Sequence, residues 1–320
     1  MKKIKSFFDD RTKKMLPRIL TQICRDPSSS YYGCCDRNWW HYKIRDFPSI
    51  ILQQAILVIS ISSENKEIEY KNYLEDIVQA GCLFWQQRAL RYRSFEEYYP
   101  YEDGYPPLAF STLAISKLCY QGKIEYNKIS DGLNKASHKL QQKFEKDAFN
   151  QQIVGTTALA FINKITSKDT DILTRLISKT LNMQTENGWF IEYGGPDIGY
   201  LSVALDSLWD LYDITNNPQC YDAIIKSTNF ITKKINQLNN NLMIFNSRNT
   251  NYVLPYGILR SFYDSQTYSV ELEEAILSIF DKDVSSIHYI DSIDDRYLCH
   301  YIGTSFFRAS DLINKKILNQ

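Results

Sequence analysis

This sequence has no excess of positive or of negative charge. The 320 residues include 37 Lys and Arg against 37 Asp and Glu, so the formal net charge at neutral pH is zero. Proteins that bind nucleic acids or anionic membrane surfaces usually carry a basic excess. We therefore expect no nucleic-acid partner.

Signals for export and for membrane insertion are also missing. The charged N-terminal segment has no apolar stretch behind it, which a secretory signal would need. The longest apolar run, residues 50–61, contains Gln53, Gln54 and Ser60 and is too short to span a bilayer. These absences predict a protein without membrane insertion.

Paired cysteines are absent as well. The seven cysteines include no CxxC pair, and the adjacent Cys34 and Cys35 have a poor spacing for zinc. Scattered thiols in a chain of this size are typical of a reducing compartment. We therefore predict a cytoplasmic protein.

Motifs that bind cofactors are not found. The chain has no glycine-rich phosphate loop, no nucleophile elbow and no HExxH sequence. Asp206, Asp210 and Asp213 are spaced by four and three residues, which could place them together on a helix around Mg²⁺. A solvated acidic face is the commoner outcome of such spacing, so we predict neither a metal nor another cofactor.

Glycine is scarce except in one segment. Four of the 12 glycines fall within residues 184–200, which cannot be helical at that density of glycine. The same segment carries Trp189, Glu192, Tyr193 and Asp197. A loop with large rings and carboxylates either plugs a core or forms a site, because functional groups concentrate on loops held by a rigid scaffold.

The rest of the chain has mainly helical periodicity, with about eleven to thirteen helices and little strand. The stretches 50–61 and 153–162 are apolar nearly all round, whereas the other helices are amphipathic. An inner and an outer ring of helices would need this mixture. We predict an all-α fold over residues 1–320 as a single domain, an α/α toroid built as an incomplete or complete six-hairpin barrel. A plain helical solenoid is the alternative.

Four stretches together resemble the α/α-toroid part of bacterial heparinase II/III-like proteins, a group of polysaccharide lyases and their relatives. The stretches are 35–49 (CDRNWWHYKIRDFPS), 98–112 (YYPYEDGYPPLAFST), 148–167 (AFNQQIVGTTALAFINKITS) and 184–215 (QTENGWFIEYGGPDIGYLSVALDSLWDLYDIT). The resemblance implies a toroid that acts on a glycan. The chain departs from the family in having no strand-rich part, and it has Gln151 after Asn150 where the family often has an Asn-His pair.

A second, looser resemblance concerns residues 184–189. The sequence QTENGW is similar to the Gln-x-x-x-Gly-Trp signature of terpene cyclases and prenyltransferases, which share the toroid. In that family the motif caps helices, so the resemblance implies a fold more than a function.

The densest group of reactive side chains lies in residues 36–43. His41 titrates near neutral pH and is a candidate general base or acid, together with Tyr42. The same segment supplies four candidate substrate-binding residues, namely Asp36, Arg37, Trp40 and Lys43, of which the basic ones could neutralise a substrate carboxylate. The alternative is a charged helix entrance anchored by tryptophan.

Further candidates are distributed along the chain. Glu192 and Tyr193 are predicted to be catalytic, and Glu192 with Asp197 could form the carboxylate pair that glycoside hydrolysis needs, unless Asp197 caps the next helix. His300 is a candidate catalytic residue beside Arg296 on one predicted helix. The remaining candidate substrate-binding residues are Tyr101, Asn150, Gln151, Trp189, Asp197 and Arg296.

These observations predict a carbohydrate-active enzyme. It would act on a uronic-acid-containing or related glycan by β-elimination, epimerisation or hydrolysis. We expect His41, Glu192 and Tyr193 to line one pocket, with Trp40 and Tyr101 as walls and with Arg296 or His300 opposite. The alternatives are a noncatalytic glycan-binding or scaffold toroid and a terpenoid-cyclase-like enzyme.

Overall fold

A computed structural model describes residues 2–64, 69–167, 171–238, 245–280 and 293–318. Within these ranges the chain forms fourteen α-helices and two short 3-10 helices, with no named strand, so the predicted all-α class is confirmed. The α-helices are α1 (Lys2–Gln22), α2 (Arg37–Trp40), α3 (Ala55–Ser63), α4 (Lys71–Ala89), α5 (Tyr105–Tyr120), α6 (Ser130–Gln142), α7 (Phe149–Thr166), α8 (Asp171–Leu181), α9 (Ile198–Thr215), α10 (Pro218–Leu238), α11 (Pro255–Phe262), α12 (Val270–Phe280), α13 (Asp295–Leu298) and α14 (Tyr301–Leu318).

Six helices form the centre of the molecule, and their neighbours run in a cycle. Helix α3 lies beside α5, α5 beside α7, α7 beside α9, α9 beside α11, α11 beside α14, and α14 beside α3. Most side chains of α3, α5, α7 and α9 are buried, as the apolar sequences of these helices predict. The amphipathic helices α1, α4, α6, α8, α10 and α12 pack on the outside of these six.

The segments that precede α3, α5, α7, α9 and α11 meet in pairs. The Ile50 N–H donates to the Glu96 carbonyl at 2.9 Å, and the Lys143 ammonium donates to the Asp103 carbonyl at 2.7 Å. Farther along, the Ser247 N–H donates to the carbonyl of Pro196 at 3.0 Å. These contacts gather the loops at one end of the helix group.

The expectation that one helix carries both Arg296 and His300 was wrong. Helix α13 ends at Leu298 and α14 begins at Tyr301. The His300 N–H bonds the Tyr297 carbonyl at 3.1 Å in the tight turn between them, so Arg296 and His300 are not neighbours on one helix face.

None of the helices in the described ranges has the length and apolar character needed to cross a membrane. This agrees with the prediction from the apolar runs of the sequence.

An ion-paired cluster lies between the central helices. Asp210 on α9 accepts from the Lys117 ammonium on α5 at 2.8 Å and also from the Arg308 guanidinium on α14. Burial alone would raise the pKa of Asp210, but the two cations hold it below its ordinary value. The cluster borders a small cavity of about 40 Å³, also lined by Asp206 and Thr304.

Asp210→Asn should destabilise the protein by about 3–5 kcal/mol, because it leaves two buried cations without their carboxylate. Urea denaturation measures this loss. Asp213→Asn is the matched control, since Asp213 lies one turn further along α9 and makes a longer, more exposed pair with Arg260 at 3.4 Å. That change should cost no more than about 1 kcal/mol. Equal losses for the two variants would show that the central cluster contributes no special stability.

Gly33 is required where the chain passes α4. Its φ of +85° lies in the left-handed region, and a Cβ there would come within 2.3 Å of the Ala80 carbonyl. Gly122 also has a positive φ, of +73°, but no atom lies within 4 Å of a Cβ built on it.

Gly33→Ala should therefore cost much more stability than Gly122→Ala. Both changes strain φ, at about 1–3 kcal/mol each, but only the first also forces two segments of backbone apart. Comparing the free energies of unfolding of the two variants isolates the contact. A difference below about 1 kcal/mol would mean that the segment around Gly33 moves away at little cost.

Candidate functional site

The backbone of the glycine-rich loop, residues 182–197, is held from both sides. The Tyr193 N–H donates to the Asp147 carbonyl at 2.7 Å, and the Ser247 hydroxyl donates to the Glu192 carbonyl at 2.8 Å. The Gln184 amide donates to the carbonyls of Gly188 and Ala223, which ties the turn to α10. The loop therefore presents Glu192 in a fixed position.

The Glu192 carboxyl is buried, with 3% of the residue exposed, at the loop end of the helix group. It accepts a hydrogen bond of 2.7 Å from the Asn150 amide, near the beginning of α7. Among the described residues it forms no salt bridge. Burial raises its pKa to about 7, although the hydrogen bonds from Asn150 and the charge of Arg248 oppose the rise. A carboxyl with this pKa can both give and take a proton near neutral pH.

Arg248 and Tyr193 lie beside this carboxyl and are exposed. The Arg248 guanidinium stands 4.2 Å from the centre of the Tyr193 ring, and the Tyr193 hydroxyl accepts from the Gln151 amide at 3.3 Å. The backbone of Tyr193 has a φ of +51°, a left-handed value that a tyrosine rarely adopts. The pair offers a cation and a ring face to a bound molecule.

Asp197 is engaged within the protein. Its carboxylate accepts from the Tyr200 N–H at 2.9 Å, the Arg248 N–H at 3.0 Å and the Thr250 hydroxyl at 2.6 Å. The interpretation of Asp197 as the cap of α9 is therefore confirmed. The same carboxylate fixes the segment that carries Arg248.

Three tyrosines form the next layer inward. The hydroxyls of Tyr252 and Tyr301 are 2.8 Å apart, and Tyr301 also bonds Tyr200. Burial raises the pKa of all three phenols, so they remain protonated near neutral pH. Tyr200 lies within electrostatic range of Glu192 and of Arg248.

A second buried carboxyl, Glu97, lies in the link between α4 and α5. The Glu102 carboxylate accepts from the backbone N–H groups of Glu97 and Tyr98 at 2.9 Å each, and the Arg45 guanidinium donates to the Glu97 carbonyl. Burial raises the pKa of the Glu97 side chain to about 7, with the hydrogen bond to Tyr98 acting against the rise and Glu102 adding to it. The nearby charge of Arg296 lowers it.

Exposed tyrosines surround these two carboxyls. Tyr98 is within electrostatic range of Tyr200 and Tyr297, which connects the surroundings of Glu97 to those of Glu192. Each ring of this group is at least half exposed, and we call the group the tyrosine rim: Tyr98, Tyr99, Tyr101, Tyr193 and Tyr297. Tyr101, predicted from the sequence, is thus a rim residue.

The candidates of the 36–43 segment pack mainly against the end of α1. The Trp40 indole donates to the Gln22 carbonyl at 2.8 Å, and the Arg37 guanidinium donates to the Thr21 carbonyl at 3.2 Å. Asp36 is buried, caps α2 and accepts from the Ser49 N–H at 2.8 Å. These contacts agree with the alternative interpretation of this segment, a charged helix entrance anchored by tryptophan.

The rings of His41 and Tyr42 are exposed and pack edge to face on each other. The other ring contact of His41 is with Trp40, and Lys43 lies 3.7 Å above the Tyr31 ring. In the described part of the chain no contact joins His41 to Glu192. The catalytic roles of His41 and Tyr42 stay predictions.

The remaining candidates differ in their surroundings. Burial lowers the pKa of His300 to about 3, so its ring is neutral and a weak base. Arg296 lies within electrostatic range of Glu97 and Arg45. Trp189 is partly buried against the hydrophobic core.

Sequence patterns did not single out Glu97, Arg248 or Tyr200. Glu97 stands in the aromatic and acidic link that the composition marks, but nothing in the sequence distinguishes it from Glu96, which pairs with Arg88 at 2.7 Å. Arg248 lies in a polar segment without a motif. Only the folded loops show that Arg248 and Tyr200 lie within electrostatic range of Glu192.

The chain matches no family model, no curated protein and no solved structure. The assignment of a function therefore rests on the geometry of this end of the molecule.

Glu192→Gln should change how stability depends on pH. Folding raises the pKa of Glu192 from 4.5 to about 7, so the folded state binds this proton more tightly than the unfolded state. The resulting stabilisation is complete below pH 4.5 and is lost as the pH rises through 7. Relative to the variant, the wild type should lose on the order of 3 kcal/mol over this range.

Urea denaturation of both proteins at acid and mildly alkaline pH measures the difference. The exposed Glu186 lies in the same loop, and Glu186→Gln should leave the pH dependence unchanged. If the difference between wild type and Glu192→Gln is constant across pH, folding does not shift the pKa of Glu192.

Proposed function

We propose that this chain is a carbohydrate-active α/α toroid that transfers protons on a uronic-acid-containing or related glycan. The observation that carries the proposal is the Glu192 carboxyl. It is buried, its pKa is raised to about 7, and it lies beside the exposed Arg248 and the tyrosine rim. The resemblance to heparinase II/III-like proteins agrees with it, although the chain has no Asn-His pair at Asn150. The seven cysteines, all buried and free, suit a reducing compartment and a cytoplasmic location.

The arrangement of helices supports the toroid. The cyclic order of the six central helices, with amphipathic helices outside them, is the order that a six-hairpin barrel requires. Loops at one end of such a barrel surround its mouth, and Glu192, Arg248 and Glu97 all belong to such loops. The site then lies over the axis of the barrel.

The chemistry follows from the charges. Removing the proton next to a sugar carboxylate produces a dianionic intermediate, which is costly unless a cation neutralises the carboxylate. Arg248 is exposed and takes part in no salt bridge within the described ranges, so it is available for this role. Glu192 in its ionised form is the base. β-Elimination or epimerisation would follow from this step.

Hydrolysis is supported less well by these residues. Hydrolysis would need Asp197 as the second carboxylate beside Glu192, but Asp197 already accepts three hydrogen bonds from the protein. The cyclase alternative also loses its metal-binding side chains, because Asp210 is held by Lys117 and Arg308, and Asp206 accepts from the Gly257 N–H at 2.7 Å. A noncatalytic glycan-binding protein remains the second candidate, since the tyrosine rim alone could bind sugar rings.

The test is a screen of the purified chain against alginate, polygalacturonate, hyaluronan and heparan sulfate. Ultraviolet absorbance detects the unsaturated product of elimination, a reducing-sugar assay detects hydrolysis, and deuterium incorporation from heavy water detects epimerisation. On a substrate that reacts, Glu192→Gln should lower kcat by about 10²- to 10⁴-fold without lowering the melting temperature. Arg248→Gln should lower kcat as well as raise KM, because the cation stabilises the dianionic intermediate more than the bound substrate.

Arg175→Gln is the matched control for Arg248, because Arg175 is an exposed cation on the outer helix α8. It should leave both constants unchanged. Binding without turnover in the wild type would favour the noncatalytic alternative. A Glu192→Gln protein that unfolds would instead identify Glu192 as a structural plug.

A further inference from the structure

Glu97 is a buried carboxyl that the proposed chemistry has not yet used. Only 6% of the residue is exposed, and its side chain forms no salt bridge with the residues that the structure describes. Its neighbour Glu96 is buried to the same degree but is paired with Arg88 at 2.7 Å. A buried structural carboxylate is normally paired in that way, and Glu97 is not.

The position of Glu97 is fixed by the loop around it. The Glu102 carboxylate binds the backbone N–H groups of Glu97 and Tyr98, and the Tyr101 N–H donates to Glu96 at 2.9 Å. Tyr101 and Asp103 take φ values of +59° and +52°, an uncommon conformation that these contacts maintain. Strained backbone of this kind persists where the surrounding structure holds it, and it clusters at functional sites.

Two tyrosines connect Glu97 to the site already described. Tyr98 bonds the Glu97 carboxyl and lies within electrostatic range of Tyr200, which in turn is within range of Glu192. Tyr297 lies within range of both Tyr98 and Tyr200. The two carboxyls thus lie in loops that are connected through one group of phenols, Tyr98, Tyr200 and Tyr297.

We propose that Glu97 and Glu192 are the two proton-transfer groups of a single site, with Glu97 as the acid and Glu192 as the base. This inference rests on the proposed function. The assignment of roles follows from the cations, because Arg248, which would hold the substrate carboxylate, is beside Glu192. The base must be close to the carbon next to that carboxylate.

The elimination is then balanced without any co-reactant. Ionised Glu192 takes the proton from the carbon next to the carboxylate, and the electron pair forms the new carbon–carbon double bond. The bond from the β-carbon to the glycosidic oxygen breaks, and protonated Glu97 gives its proton to that oxygen. One product carries an unsaturated sugar and the other a new hydroxyl. Proton exchange with water returns Glu192 to its ionised form and Glu97 to its protonated form.

The charges around Glu97 suit an acid. Burial keeps part of the carboxyl protonated near neutral pH, while Arg296 and Arg45 favour the ionised form after the proton has left. An acid that is too weak would hold its proton, and one that is too strong would have lost it beforehand.

The experiment has one part that needs no substrate. In protein with ¹³C-labelled glutamate side chains, NMR titration of the wild type should show two carboxyls that titrate near neutral pH. Glu97→Gln should remove one of these signals and Glu192→Gln the other, whereas Glu186→Gln should remove neither. A Glu97 carboxyl that titrates in the ordinary acid range would overturn the inference, whatever the protein acts on.

The second part uses whichever polysaccharide of the panel reacts. The wild type should show a bell-shaped dependence of kcat/KM on pH. Glu97→Gln should lower kcat by about 10²- to 10⁴-fold and remove the alkaline limb, because that limb reports loss of the acid's proton. Glu97→Asp, which keeps an acid on a shorter side chain, should recover part of the rate and the limb. It also serves as the test variant if Glu97→Gln does not fold.

The results separate the two proposals. Full activity and an unchanged pH profile in a folded Glu97→Gln protein would overturn the role of Glu97 and leave the proposed function intact. A wild type that turns over none of the acidic polysaccharides would overturn the proposed function, and the role of Glu97 with it, even if both carboxyls titrate near neutral pH.

Discussion

The ion pairs of Asp210 with Lys117 and Arg308 join three of the six central helices across the middle of the group. In the cyclic order of neighbours, α5, α9 and α14 are alternate members, so no two of them are adjacent. Apolar contacts between adjacent helices fix the spacing of each neighbouring pair but not the distances between helices across the cycle. A buried carboxylate between two cations restricts those distances, because separating any of the three charges leaves one uncompensated in a low-dielectric interior.

The loop end of the molecule, in contrast, contains several features that cost stability. Several residues there have left-handed φ values although they are not glycine, including Lys43, Tyr101, Tyr193 and Asn249. Each such residue costs on the order of 1–3 kcal/mol, and a protein keeps it only where neighbouring contacts determine the conformation. Buried Glu97 and Glu192 add a further cost, since neither is neutralised by an ion pair within the described residues. The rigid helices below supply the stability that this end gives up.

The sequence was sufficient to predict the helical class, because apolar periodicity depends on local spacing. It also identified the segment around Glu192, since four glycines among large rings and carboxylates can be recognised without a structure. For Asp197 the sequence left a cap and a catalytic carboxylate open, and the structure shows the cap. The extent of the last helix was missed, because the turn at residues 299–300 contains no Gly or Pro that would mark it. Pairs that depend on loops meeting, such as Glu192 with Arg248, could not be predicted, because neither residue carries information about the other.

His41 and Glu192 differ in their surroundings, which composition alone does not show. His41 has the more favourable ordinary pKa for proton transfer, and its segment has the higher density of reactive groups. Among the described residues, the ring contacts of the exposed His41 are with Trp40 and Tyr42, its neighbours in the chain. Glu192 has an unsuitable ordinary pKa, but burial raises it to about 7 against the opposing effect of the hydrogen bonds from Asn150. What makes a side chain fit for acid–base chemistry here is the environment that the fold builds around it, and that environment comes from loops far apart in the chain.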